Sequence, residues 1–394
     1  MKVLMIGQLP VEAGGSYTNG VCNVVYELSK CVTNDVELVV YATNMDDSTA
    51  KTVGNCRYRG SVKRPLRQLM HIILHPFDTY KQWRYYIKDC KAPYPHRYDA
   101  YRDNIERLIK EEKPDVIHCM NLVQMAATYF ANRKFHLPLI LTLHGCTTDK
   151  DNENGAVIHL PDMVTGLVPQ TMKDISFHGI PKEKTAMVPN GTDTSKFYYS
   201  EEERVKLRRE LGVDDDTTVM LTIGSLSNRK GQLTMLEKLN SLPKEFKYLY
   251  LIIGKGEDEE KILSYIKENK MENRVHVIGY VANTDLYKYH SAADVYVHCS
   301  RSEGQALSEV EAYATDLKIA VNRDVVTTII TDTTNRDDYL VFDFDGFDAT
   351  SFISWCSNHK RERHSRVEYD WKQIFRMYNS IYNKLISRPC FSRN

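Results

Sequence analysis

The chain has 394 residues, more than the ~250–300 at which a single hydrophobic core stops growing, so two domains are expected. Lys plus Arg and Asp plus Glu each total 52, and this neutral balance argues against a dedicated nucleic-acid binder, which carries a basic excess. Hydrophobic residues at 42% and charged residues at 26% exclude global disorder, collagen and a coiled-coil rod.

The opening Met1–Gly7 stretch is too short in its apolar part for a signal peptide and soon meets Pro10 and Glu12, so it reads as a first strand. Short apolar runs then recur at Val3–Ile6, Val36–Ala42, Asp115–Met120, Leu137–Leu143 and Gly166–Val168. After the Pro189-Asn190-Gly191 turn signal the series restarts with Thr218–Ile223, Tyr248–Ile253, Val275–Ile278, Asp294–Cys299, Lys318–Val321 and Tyr339–Phe342. Runs of this length separated by helical segments indicate parallel sheets covered by helices. The expected architecture is α/β, two doubly wound domains facing across a cleft. The final Trp371–Ile386 stretch has helical spacing of Trp371, Ile374, Phe375, Tyr378, Ile381, Tyr382 and Leu385. The nine cysteines form no CxxC pair, which fits free thiols in a reducing, cytoplasmic setting. No apolar run approaches the ~18 residues of a spanning helix.

Residues 57–97 break the pattern. Ten Lys and Arg (57, 59, 63, 64, 67, 81, 84, 88, 91, 97) face Asp78 and Asp89, a local charge of 10 − 2 = +8, with Tyr58, Phe77, Tyr80, Trp83, Tyr85, Tyr86 and Tyr94 interleaved. Such a stretch suits an anionic membrane face or an anionic acceptor. The plain alternative is a solvated helical insertion. His71 and His75 share a helix face but lack a metalloprotease Glu, so they read as surface or packing residues.

Three loops carry chemistry. Ser300–Ala314 runs from a strand through a small-residue turn into a helix, which aims backbone N–H groups and a positive helix end at an anion. Glu303 and Glu311 are eight residues apart; Glu303 is expected in the turn and Glu311 in the second helical turn, where the two carboxylates reach opposite ends of an elongated ligand. An ordinary acidic helix start is the alternative. Gly224–Gly231 follows a strand and holds adjacent Arg229 and Lys230, able to neutralise a diphosphate, though it lacks the Walker spacing. Gly14-Gly15-Ser16 follows the first strand, where paired glycines let N–H groups approach a phosphate or sugar. His118 and His144 lie at strand ends, where a packing role is the alternative for each.

Glu303-Gly304-Gln305-Ala306-Leu307 with Glu311-Ala312 resembles the EGxGL…EA stretch of the retaining glycosyltransferases of family 4, which have the GT-B architecture of two Rossmann-like domains. Gly14-Gly15, Asp115-Val116-Ile117-His118, Leu143-His144-Gly145, Asn190-Gly191-Thr192-Asp193, Arg229-Lys230-Gly231, Gly254-Lys255-Gly256 and Ala293-Asp294-Val295 match in the family's order. The resemblance implies an acceptor-binding domain over 1–193, a nucleotide-sugar domain over 194–376, and a C-terminal helix at 377–394 packing back on the first. It implies catalytic roles for Glu303, Arg229, Lys230 and His144, with the two cations on the diphosphate and Glu303 near the reacting sugar carbon. Donor contacts would come from Gly15, Gly224, Ser225, Gly254, Tyr280, Val281, Gln305, Ala306, Leu307 and Glu311, the last on the ribose. Gly14, Ser16 and His118 would meet the acceptor.

The implied activity is retaining transfer of a hexose from a nucleotide-diphosphate sugar, a UDP-sugar by preference. The implied acceptor is a glycan or lipid-linked glycan at the inner membrane face, as in bacterial surface-polysaccharide assembly, with no metal or other cofactor. The sequence departs from the pattern where Gln305-Ala306 replace an aromatic-glycine pair, where Ser225 replaces a frequent cation, and where Asp316-Leu317-Lys318 replaces Gly-x-Pro. A non-catalytic nucleotide-sugar-binding protein is the alternative function, and an epimerase or phosphorylase on the same scaffold a third.

Overall fold

A computed structural model describes residues 1–63, 70, 72–74, 76–88, 95–145, 157–325, 338–358, 361 and 367–387. The chain divides into two compact units, Met1–Pro189 with Trp371–Asn394, and Asn190–Asp370.

The first unit is built on an eight-stranded sheet. Its strands are β1 (Lys2–Gly7), β2 (Glu37–Asp46), β3 (Lys51–Val53), β4 (Cys56–Ser61), β5 (Val116–Cys119), β6 (Leu139–Leu143), β7 (Met163–Gly166) and β8 (Thr185–Met187). They lie in the order β3-β4-β2-β1-β5-β6-β7-β8, all parallel except the β3–β4 pair. Alternation along the strands sends Leu4, Ile6, Val39, Ile117 and Leu141 into one buried cluster with Ile105, Leu108 and Met125 from the helices Pro95–Glu112 and Leu122–Asn132. On the other side the helix Gly20–Lys30, capped by Asn19 on the Cys22 N–H at 2.9 Å, meets the helix Trp371–Ile386.

Most of the expected strands appear, with one shifted and three not expected. The run expected at Gly166–Val168 forms at Met163–Gly166 instead. The short strands β3, β4 and β8 carry polar residues at half their positions or at their ends, and so lack the apolar run that marks a strand.

The second unit is a six-stranded parallel sheet of β9 (Thr218–Ile223), β10 (Tyr248–Ile253), β11 (Val275–Gly279), β12 (Val295–His298), β13 (Lys318–Asn322) and β14 (Tyr339–Phe342), in the order β11-β10-β9-β12-β13-β14. Both faces are covered, as a parallel sheet requires. Met220, Tyr250, Ile252 and Val297 point into one core, and Leu221, Leu249, Leu251 and Tyr296 into the other. The strand order reverses between β9 and β12, so the carboxyl ends of these neighbours form a topological switch point, where ligands bind in open sheets.

The basic stretch is not uniformly solvent-facing. Arg57 and Arg59 belong to β4 and are spent on internal ion pairs. Arg57 pairs with Glu112 at 2.6 Å and with Glu37, and Arg59 pairs with Asp47 at 3.0 Å, Glu111 at 2.9 Å and Glu112 at 2.7 Å. Tyr58 and Tyr86 are buried, and Trp83 donates to Asp99 at 2.5 Å. Outward on the helix Pro76–Lys88 are Phe77 (82% exposed), Tyr80 and Ile87, alongside exposed Asp78, Lys81 and Arg84. Arg64, Arg67, His71, His75, Lys91 and Tyr94 lie outside the described residues, as does the end of the C-terminal segment from residue 388. Among the described residues no helix is long and apolar enough to cross a membrane. The six cysteines among them form no disulfide with one another.

Candidate functional site

The carboxyl ends of β9, β10 and β12 each open into a loop, and the three loops interlock. The Gly224 N–H donates to Ile253 O at 2.9 Å, Leu226 N–H to Lys255 O at 3.1 Å, and Arg301 N–H to Arg229 O at 2.8 Å. Gly254 has φ 143°, and a Cβ there would sit 1.9 Å from Gly224 O, so no side chain fits where β9 and β10 end. This packing forces the turn Asn228–Lys230 and the loop 299–306 to face each other.

Lys230 Nζ lies 2.5 Å from Glu303 Oε1 and Arg229 Nη1 lies 2.7 Å from the same atom. Arg229 also donates to Ser302 O at 2.7 Å. Burial alone would raise the Glu303 carboxyl; the charge and hydrogen bond of Lys230, then the charges of Arg229 and His298, outweigh it and hold the group below the usual range. Two cations against one carboxylate leave the cluster net positive, and Arg229 is 52% exposed. The helix Leu307–Ala314 begins just beyond, with Ala306 at its cap and no side-chain cap hydrogen bond. No side-chain oxygen caps its first N–H groups, of which that of Glu309 donates to Ala306 O at 3.2 Å; such a helix start favours an anion. Glu311 stands in the second turn of that helix, half-buried. Tyr280 is 76% exposed beside Gly279, whose carbonyl accepts from Gly254 N–H at 2.8 Å. Val281 packs on the core below, and Ser225 is exposed while its carbonyl accepts from Gln232 at 3.0 Å. One end of one sheet thus gathers Gly224, Ser225, Arg229, Lys230, Gly254, Tyr280, Val281, Glu303, Ala306, Leu307 and Glu311.

The Gln305 side chain, as distinct from the backbone N–H expected at the donor, has a structural duty: its Oε1 accepts from the Asn190 N–H at 2.7 Å while its carbonyl accepts from Asn190 Nδ2 at 2.9 Å, and it is buried. Two expectations are corrected. His118 is no acceptor contact. It is fully buried, with Nδ1 2.8 Å from the Tyr382 hydroxyl and Nε2 2.7 Å from Thr142 Oγ1, and burial, with nearby His144, lowers its pKa to about 3. In the glycine loop the N–H groups of Gly14, Gly15 and Ser16 already donate to Val11 O, Pro10 O and Asn44 O, each at 3.0 Å. They are spent within the loop rather than offered to a phosphate. A Cβ on Gly15 would fall 1.7 Å from Leu9 O, so glycine is required there for packing.

His144 directly follows β6, half-buried; its Nε2 is buried with no hydrogen-bond partner among the described residues, and burial lowers it to about 4, so the imidazole is neutral near pH 7. Sequence reasoning passed over a further pair, His298 at the end of β12 and Glu309 in the facing helix, 2.7 Å apart and both buried. The strand-end position that singled out His118 and His144 is the signal that applies equally to His298.

The chain matches the Glycosyltransferase Family 4 family over residues 18–196 and the Glycosyl transferases group 1 family over 203–341. It is 28% identical over 144 residues to an alpha-monoglucosyldiacylglycerol synthase of Acholeplasma laidlawii, covering 36% of each chain. It is 24% identical over 216 residues to the O-antigen biosynthesis glycosyltransferase WclY of Escherichia coli, covering 52% of this chain and 57% of that one. These alignments span between about a third and three fifths of the curated relatives' own length. The Anabaena protein HepE, solved in complex with UDP, superposes with a TM-score of 0.71 at 15% identity over 98% of this chain and 100% of that one, which establishes the GT-B fold.

Proposed function

We propose that this chain, which belongs with the family 4 type of GT-B glycosyltransferases, transfers a hexose from a nucleotide-diphosphate sugar to a glycan or lipid-linked glycan with retention and without a metal. The observation that carries the reading is the convergence of Arg229 and Lys230 on Glu303 at the switch point of the second sheet. A leaving nucleoside diphosphate develops negative charge, and fixed cations in a partly desolvated site stabilise it. Glu303 is assigned to the sugar, where a carboxylate steadies an oxocarbenium-like carbon, and Glu311 to the ribose hydroxyls. Gly254 and the Tyr280-Val281 step are assigned to the base. A UDP-sugar is preferred, supported by the UDP bound to HepE.

The polysaccharide or glycolipid setting is supported by the two relatives, an alpha-monoglucosyldiacylglycerol synthase and an O-antigen biosynthesis glycosyltransferase. The outward Phe77, Tyr80 and Ile87 with Lys81 and Arg84 form the amphipathic surface that a peripheral protein on the anionic inner membrane face uses. His144 is assigned to the reaction as a neutral hydrogen-bonding group.

The test is transfer of labelled sugar from UDP-, GDP- and ADP-hexoses into glycan and lipid fractions, with and without EDTA, and with the product's anomeric configuration read by NMR. One donor class transferred with its anomeric configuration kept and no loss in EDTA is the expected result. Inversion, or activity that disappears with EDTA, contradicts the corresponding part of the proposal.

A further inference from the structure

The chain passes between the two units twice, at Pro189–Asn190 and at Asp370–Trp371. Within the second unit both passages are fastened to the loop and helix that follow β12. Asn190 is 3% exposed and Gln305 5%. The backbone N–H of Asn190 donates to Gln305 Oε1 at 2.7 Å, and Asn190 Nδ2 donates to the Gln305 carbonyl at 2.9 Å. Turning the Asn190 amide over would set oxygen against oxygen, so the second bond fixes its orientation. The Asn190 Oδ1 is buried with no hydrogen-bond partner among the described residues, so the amide serves here as a donor, and that bond justifies its burial.

The second passage reaches the same helix from its far end. The Tyr369 ring stands edge-on to Tyr313 of Leu307–Ala314, centroids 5.5 Å apart, and both are buried. The passages are also tied to each other. The Thr192 N–H donates to Tyr369 O at 2.7 Å, and Thr194 Oγ1 donates to Asp370 Oδ2 at 2.5 Å. Gln305 stands between Glu303 and Leu307, where the helix starts. A loop that has to be ordered when its ligand binds loses affinity by that cost. Two hydrogen bonds from a buried residue 115 positions earlier in the chain do part of that ordering in advance.

We propose that Asn190 is a positioning residue for the nucleotide-diphosphate site, holding the loop 303–306 through Gln305 so that Glu303 and the start of the helix Leu307–Ala314 are set before the ligand arrives. The inference rests on the nucleotide reading of the site and deepens it. Asn190 acts through Gln305 and not on the ligand. Order in the loop and order at the first passage are then linked, so a nucleotide that steadies the loop steadies Asn190 as well.

The test is calorimetric titration of UDP, GDP and ADP into the whole chain and into Asn190→Ala, Gln305→Met and the double variant. A nucleotide that binds the wild type is expected to bind each single variant about 3–10-fold more weakly, the scale of one hydrogen bond lost from a preorganised loop. The double variant is expected to fall well short of the product of the two losses, because both act on one clamp. Thr194→Val removes a bond of the same passage away from the loop, and is expected to lower the urea midpoint with affinity unchanged. Wild-type affinity in both single variants, losses that simply multiply, or equal weakening by Thr194→Val overturns the positioning role and leaves the nucleotide site standing. No binding of any of the three to the wild type overturns the nucleotide site, and the positioning role with it. Where Asn190→Ala fails to fold, hydrogen exchange of the wild type with and without nucleotide replaces it. Slower exchange over 189–194 together with 300–306 is expected, and exchange unchanged over 189–194 overturns the proposal.

Discussion

Lys230 and Glu303 decide whether the cation cluster is a diphosphate site or a surface ion pair. Replacing Lys230 by Ala removes the half-buried charge, and transfer is expected to fall by about 10²–10³, the scale of losing one preorganised electrostatic donor. Glu303→Gln is expected to abolish transfer while leaving nucleotide binding equal or tighter, because the amide no longer competes for the two cations. Normal turnover by both variants would refute the assignment. These residues were legible in the sequence because each sits in a strand–loop–helix junction whose polar residues have no local structural duty. The structural duty of the Gln305 side chain was missed, and His118 misread, for the opposite reason. Their partners are Asn190, 115 residues away, and Tyr382, 264 residues away, and no local pattern reports a bond that long in sequence. His298 and Glu309 escaped notice because an imidazole and a carboxylate eleven residues apart become a pair only when a strand and the next helix fold face to face.

Buried charges and polar contacts also tie whole elements in place. Asp294, at the entry to β12, accepts Arg204 at 2.6 Å and Arg208 at 3.0 Å and the Val219 N–H at 2.8 Å, fastening the helix Glu201–Glu210 to the sheet. Burial would raise its carboxyl, but Arg204, the Val219 N–H and Arg208 hold it below the usual range. Asp294→Ala leaves two half-buried or buried guanidinium groups without their carboxylate and is expected to cost about 3–5 kcal/mol, seen as a lower urea midpoint. On the helix Trp371–Ile386, Tyr382→Phe leaves His118 Nδ1 unpaired in the core and is expected to cost about 1–3 kcal/mol, with transfer retained if that histidine is structural. The outward face of Pro76–Lys88 is expected to bind anionic vesicles in flotation, less at high salt; Lys81→Glu with Arg84→Glu should lose that binding, and equal binding by the double variant would remove the membrane role. At this scale the apolar runs of β9 to β14 were legible almost to the residue, since a parallel strand buried on both faces cannot hide its composition. In β4, Arg57 and Arg59 look like surface charge in sequence and prove to be the interior of an ion-pair network.

For the molecule as a whole, buried His118 and His290, with half-buried His144, set an acid limit on stability. Burial lowers His118 to about 3, His290 to about 3 and His144 to about 4, against ~6.5 in an unfolded chain. The unfolded state therefore binds more protons below pH ~6.5, so their contribution is fully present above that pH and is lost as pH falls toward 4 and 3. Unfolding free energy measured from pH 7 to pH 4 is expected to decline steadily, and a flat profile would contradict the burial of these rings. The length foresaw two units and the alternating apolar runs their α/β class, but composition is silent on what each unit binds. That rests on the loops of the second sheet.

The most direct measurement is thermal unfolding of the wild type and Lys230→Ala with UDP, GDP, ADP and CMP, each at about 100 times an expected dissociation constant, where a bound ligand adds about 2.7 kcal/mol. One nucleoside diphosphate stabilising the wild type, with the gain lost in Lys230→Ala, is the result expected of a donor site built on Arg229, Lys230 and Glu303. No stabilisation by any nucleotide, or equal stabilisation of both proteins, would contradict it.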